Sequence, residues 1–188
     1  MTLQKKITAL LMLLLAAAPI SAQTQWHSPM ENCGDEPFVC GRAWNKELGK
    51  NFHRLPERYK GKVTQSVWGL SHLSAGLSLR FTTNSKNIRV KYVMGQKPGY
   101  LNMAWLNHSG VDLYGADAKG GLHWVGNHMD WKLRGDTAEI TYREISYPKG
   151  LEAGTEFRVY LPPYNEVKSV MVGVDNGASF SYKREKRA

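Results

Sequence analysis

Three things are missing from this sequence of 188 residues. The first is a second long apolar run. Beyond the N-terminal segment nothing approaches the ~20 consecutive apolar residues that span a bilayer, so no membrane anchor is expected. The second is helical periodicity, for which only "RAWNKELGKNFHRL" (Arg42–Leu55) offers a short candidate. The third is the equipment of a hydrolase. The G-x-S-x-G elbow is absent, and "HLSAG" around Ser74 lacks the first glycine and precedes a strand. Glu144, Glu152 and Glu156 read as solvated charges. No catalytic residue is assigned.

Cysteine is scarce as well, with only Cys33 and Cys40. Zinc would need two further ligands at suitable spacing, and none lies nearby, so neither a metal nor another cofactor is expected. His123 and His128, with Asp130 close in sequence, leave a weaker metal reading open. Net charge is +9, but the basic residues are scattered apart from the terminal "YKREKR", which argues against a nucleic-acid partner.

What is present begins with "MTLQKKITALLMLLLAAAPISA". A basic start at Lys5 and Lys6, an apolar run from Ile7 to Ile20 and small residues at Ser21 and Ala22 make a secretory signal peptide over residues 1–22. The protein is therefore expected to be exported, to the periplasm or beyond the cell. In that setting an even cysteine count at short spacing suggests a Cys33–Cys40 disulfide pinning an N-terminal segment of residues 23–51.

From Lys62 onward the period is two. "GLSLRFTTNSKNIRVKYVM" alternates Leu77, Leu79 and Phe81 with polar residues, turns at Asn84–Asn87, and alternates again through Ile88, Val90, Tyr92 and Met94. It reads as a hairpin with one buried face. "VDLYGA" and "LHWVG" flank the Asp117–Gly121 turn as a second hairpin. "AEITYREI", "EFRVYLP", "VKSVMVGVD" and "ASFSYK" supply four more strands. The expected fold is all-β, an antiparallel sandwich like a jelly roll over residues 52–180, with 181–188 as a linker or tail.

Aromatic residues crowd one stretch: Tyr100, Trp105, Tyr114, Trp124 and Trp131, with Asn102, Asn107 and His108 among them. Large rings usually fill a core. Exposed, beside amides and carboxylates, they stack on sugar rings, so Trp105, Asn107, His108 and Trp124 are candidate ligand-binding residues for a glycan.

"GVDLYG" (Gly110–Gly115) resembles the Gly-x-Asp-Leu-Tyr signature of the N-terminal domain of bacterial SGNH-type (GDSL-like) esterases. "FHRLPERYKGKV", "VWGLSHLSAGLSLRFTTNSKNIRVKY" and "EFRVYLPPYNEVKSVMVGVD" are similar to further blocks of that domain, in order from about Phe52 to Asp175. The resemblance implies a non-catalytic ancillary domain, with an SGNH catalytic domain as its partner in cis. It also implies an ester substrate, expected to be an acylated carbohydrate. The family's serine block lies beyond "SYKREKRA", so none of its catalytic residues carries over to a position here. Within the signature, Gly110, Asp112, Leu113 and Tyr114 read as architecture. In that reading Asp112 accepts backbone N–H groups from the Asp117–Gly121 turn or the His108–Gly110 bend. Direct substrate contact by Asp112 is the alternative. A free-standing carbohydrate-binding or adhesion module is the competing reading of the whole chain.

Overall fold

The computed structural model describes residues 23–96, 101–130, 132, 135–145 and 155–185. The signal-peptide segment, Tyr100, Trp131 and Glu152 lie outside them. Among the described residues, nine strands form two antiparallel sheets: β1 (Thr24–His27), β2 (Ser78–Thr83), β3 (Ile88–Met94), β4 (Val111–Ala116), β5 (Leu122–His128), β6 (Thr137–Tyr142), β7 (Glu156–Tyr160), β8 (Val167–Asp175) and β9 (Phe180–Lys183). Three short helices accompany them: α1 (Asn45–Leu48), α2 (Gln65–Ser71) and α3 (Trp105–Ser109).

One sheet has the order β1-β8-β3-β6 and the other β5-β4-β7-β2-β9. Among the described strands from β1 to β8, only β4 and β5 are consecutive within one sheet; every other successive pair lies in opposite sheets. That alternation is the jelly-roll path, with β9 added at an edge. The alternation in sequence sets what lies between the layers. Leu79 and Phe81 from β2, Ile88, Val90, Tyr92 and Met94 from β3, Leu113 from β4, and Phe157 and Val159 from β7 are all essentially inaccessible.

The crossing pattern corrects one expectation. Strands β2 and β3 are no hairpin: β2 pairs with β7 and β9, and β3 with β6 and β8. The Asn84–Asn87 turn is a corner between layers. It is held by Asp175, whose carboxylate accepts from Ser85 Oγ (3.1 Å), Asn87 N (3.1 Å), Asn87 Nδ2 (2.9 Å) and Arg89 Nη1 (3.1 Å). A period of two gives the face each residue shows and says nothing about which strand lies alongside. The β4–β5 hairpin is present as expected.

The domain limits also move. The sandwich starts at Thr24, because β1 pairs with β8, and Ser181–Lys183 of the expected tail belong to β9. No disulfide joins Cys33 to Cys40; both are buried free thiols. Cys33 Sγ donates to Met30 O (3.3 Å), while the Cys40 backbone is fixed in a bridge to Ser78. The segment is pinned instead by Arg42, which donates to Asn45 Oδ1 (2.6 Å), Gly49 O (2.8 Å) and Asn51 O. Burial pulls its guanidinium down to about 10.

The two ends of the sandwich differ. One carries the β2–β3 corner and the β4–β5 turn. The other, the loop end, carries α2, α3 and the Leu161–Glu166 connection between β7 and β8. The chain also leaves β9 at the loop end: Lys183 stands opposite Arg80, and Gly41 N donates to Glu185 Oε2 (3.2 Å) beside the Cys40–Ser78 bridge.

Candidate functional site

The signature strand β4 is built by close approach on one side and exposure on the other. Helix α3 closes on Gly110, whose N–H donates to Leu106 O (2.8 Å). A Cβ at Gly110 would collide with Leu106 O and lie 2.7 Å from Leu106 Cδ1 and 3.2 Å from His128 O. Its φ of −73° is ordinary, so crowding, not backbone conformation, demands glycine here. Val111 and Leu113 then point into the core, while Asp112 and Tyr114 point outward.

On that outer face the register brings Asp112 level with Asn127 of β5 and Tyr160 of β7. Tyr114 stands opposite Trp124 and Arg158. The Tyr114 and Tyr160 rings meet edge to face at 5.6 Å, and Arg158 Nη1 donates to Tyr160 Oη at 3.3 Å. Alternation in "EFRVYLP" puts Arg158 and Tyr160 on one face, but only pairing of β7 with β4 delivers them to the signature.

Asp112 has no hydrogen-bond or ion-pair partner among the described residues, and burial pushes its carboxyl above the usual carboxylate range. The strut expected of it belongs to a different residue. Asp117 accepts from Lys119 N (2.9 Å) and Gly121 N (2.8 Å), and its other oxygen meets His123 Nε2 at 2.8 Å. The bend before β4 is tied by helix bonds, with His108 N donating to Ala104 O and Gly110 N to Leu106 O. The alternation predicts that Asp112 faces outward, and the turn it was expected to serve has a nearer carboxylate.

Behind the signature, the facing sheet reaches through the core. Tyr92 Oη donates to Ser109 O (2.5 Å) and Tyr142 Oη to Val111 O (3.0 Å). Burial raises both phenols far above their ordinary value. His108 Nδ1 lies 2.5 Å from Ser109 Oγ, which also accepts from Asn165 Nδ2 (2.8 Å). The serine is 0% exposed and the histidine 1%, so this pair is sealed from any substrate. Burial also pulls the His108 pKa down. His108 therefore leaves the candidate ligand-binding set. Ser74 is equally inaccessible, its Oγ accepting from Val167 N (3.0 Å).

The remaining candidates do not converge. Trp105 (41% exposed) and Asn107 lie on α3 at the loop end, whereas Trp124 (58% exposed) lies on edge strand β5. The residues of the metal alternative do not converge either. His123 faces Asp117, and His128 packs against Tyr142. Asp130 accepts backbone N–H from Lys132 and Glu139. No group of three potential ligands occurs among the described residues. A histidine cluster that sequence reasoning passed over sits at the loop end: His53 Nε2 is 3.1 Å from Glu166 Oε1, and His53 stacks on His72 at 4.1 Å.

A jelly-roll domain with a glycine-anchored signature strand and a sealed serine–histidine pair is the class this geometry defines. The chain belongs to the family described as the GxDLY N-terminus of SGNH-hydrolase-type esterases, whose model matches residues 24–180. Among solved structures it is similar to a protein described as a GDSL-like lipase from Bacteroides ovatus ATCC 8483, with TM-score 0.68 and 26% identity. That match covers 87% of this chain and 44% of the lipase, so the chain spans less than half of that relative. A weaker match is the salicylyl-acyltransferase SsfX3 of a tetracycline biosynthetic pathway, with TM-score 0.48, 18% identity, and coverage of 91% and 41% of the two chains. No curated protein matches the sequence.

Proposed function

We propose that this chain is the non-catalytic ancillary domain of an exported SGNH-type serine esterase. Its role is to brace the catalytic domain, which follows in cis, and to shape the substrate entrance. The observation that carries the reading is the family match over nearly all of the sandwich, in a chain that spans 44% of its lipase relative. The sealed state of Ser74, His108 and Ser109 supports placing the chemistry elsewhere. In the partner domain, hydrolysis would proceed by acyl transfer through a serine, with the oxyanion held by preorganised N–H donors. An acylated carbohydrate is the substrate class this reading favours. Export accords with the basic and apolar start of the sequence, and no helix among the described residues is long and apolar enough to cross a membrane.

The test is the mass of the native product, captured with an antibody against this domain, together with acetyl-ester hydrolysis by the 188-residue chain alone. A product about twice this size and no turnover by the chain are the expected results. Serine-reagent-sensitive turnover by the chain alone would overturn the ancillary assignment.

One observation favours a second reading, a free-standing glycan-binding module. Trp124 is 58% exposed on the same face as Asp112, whose carboxylate has no partner among the described residues. Glycan affinity lost in Trp124→Ala, in a native product no longer than this chain, would establish it.

A further inference from the structure

We infer that the loop end of the sandwich is the surface on which the catalytic α/β domain of the same polypeptide docks. The inference rests on the ancillary reading above and adds the place of contact. Large apolar side chains exposed singly are normal, but a contiguous group of them marks an interface. Among the described residues, seven large hydrophobics are exposed, and five of them lie at this end: Val67, Leu70, Leu101, Trp105 and Tyr164. Val67 and Leu70 are three apart on α2 and share one helix face. The other two, Leu122 and Trp124, belong to edge strand β5.

The elements that carry Val67, Leu70, Trp105 and Tyr164 form a connected platform. Tyr164 N donates to His108 O (3.2 Å), and Asn165 Nδ2 donates to Ser109 Oγ (2.8 Å) and Gln96 O (2.8 Å), tying the β7–β8 connection to α3. On the other side Ser74 N donates to Asn165 O (3.0 Å), and His53 pairs with Glu166. Arg54 N donates to Ser71 O (2.8 Å) and so joins that side to α2. A platform whose backbone is already ordered presents its apolar side chains at little entropic cost on association.

The path of the chain selects the occupant. Glu185 lies at this same end, on the β9 side, where Gly41 N donates to its Oε2 (3.2 Å) and Arg158 Nη2 stands 3.9 Å from its Oε1, so a continuation of the chain would leave from the loop end. The outer face of the five-stranded sheet is a poorer choice. Across β7, β2 and β9 it carries the Arg80–Glu156 ion pair (2.7 Å), Arg158 and Lys183, charges that an apolar partner would have to desolvate, and its exposed apolar side chains Leu122 and Trp124 lie on the far edge strand β5. An apolar end adjoining the chain exit fits the apolar surface of a following domain, and contacts of this kind typically bury about 600–1,500 Å².

The experiment compares amide hydrogen exchange in the native product with exchange in the 188-residue chain. Docking predicts exchange slower by about tenfold or more in Val67–Ser71 and Trp105–Ser109 of the longer product, with Leu122–Trp124 unchanged. The double variant L70D/W105D should leave the melting of the 188-residue chain unaltered and abolish that protection. A longer product with no slowing at α2 and α3 would overturn the docking surface while leaving the ancillary reading intact. A native product no longer than this chain would overturn both. If the 188-residue chain dimerises and L70D/W105D returns it to monomer, the surface belongs to a second copy and the inference fails.

Discussion

Gly110 and Asp112, two residues apart, owe their places to opposite causes. Gly110 is caught between the last turn of α3 and the end of β5, where a methyl group has no room. Gly110→Ala is therefore expected to cost about 1–3 kcal/mol through overpacking, read as a lower midpoint in urea. Asp112 is under no such constraint. Burial raises its pKa, so the folded chain holds that proton more tightly than the unfolded chain does. Its charge then weakens the fold at neutral pH, and the penalty fades as pH falls through the raised value. Asp112→Asn should melt at the same temperature as the parent or higher at pH 7, and no differently once the unfolded carboxyl too is protonated, below about 3.9. A drop of several degrees at pH 7 would return Asp112 to a structural role. The sequence shows which way Asp112 faces. It does not show that Asp117 had already taken the turn, because that depends on the exact path of five residues.

At the scale of elements, the β2–β3 corner depends on one carboxylate. Burial works against the Asp175 charge, but hydrogen bonds from Asn87, Arg89 and Ser85 outweigh it and hold its pKa below the ordinary range. The stability it contributes is complete above the unfolded value and is lost as pH falls through the lowered one. Asp175→Ala should cost about 2–3 kcal/mol at pH 7, and thermal melts of variant and parent should converge in acid. A gap that persists in acid would assign the loss to packing. Strand existence was legible from alternation in nearly every case. Helices α2 and α3 were not, since 7 and 5 residues give too little periodicity to read. The N-terminal strand was missed for a related reason, four residues being too few for alternation to show.

For the whole molecule, the two sheets are joined by more than apolar contact. Tyr92 and Tyr142 start in one layer and bond carbonyls on either side of Gly110 in the other. Tyr92→Phe would leave Ser109 O without that donor in a site closed to water. We expect a loss of about 1–3 kcal/mol, shared by the whole sandwich as one cooperative transition with unchanged denaturant slope. A change confined to the α3 region by hydrogen exchange would show that the clamp is local.

The class of the fold, the face each strand turns inward, the β4–β5 hairpin and the family are all legible in the chain of residues alone. All of these rest on residues adjacent in the chain or on short motifs. Long-range packing, by contrast, sets the parting of β2 and β3, the free state of the two thiols, the sealing of His108 and the exposure of five large apolar side chains at the loop end. Each of those depends on which distant segments become neighbours. In a jelly roll nearly every connection crosses between layers, so proximity in sequence is a poor guide to proximity in space.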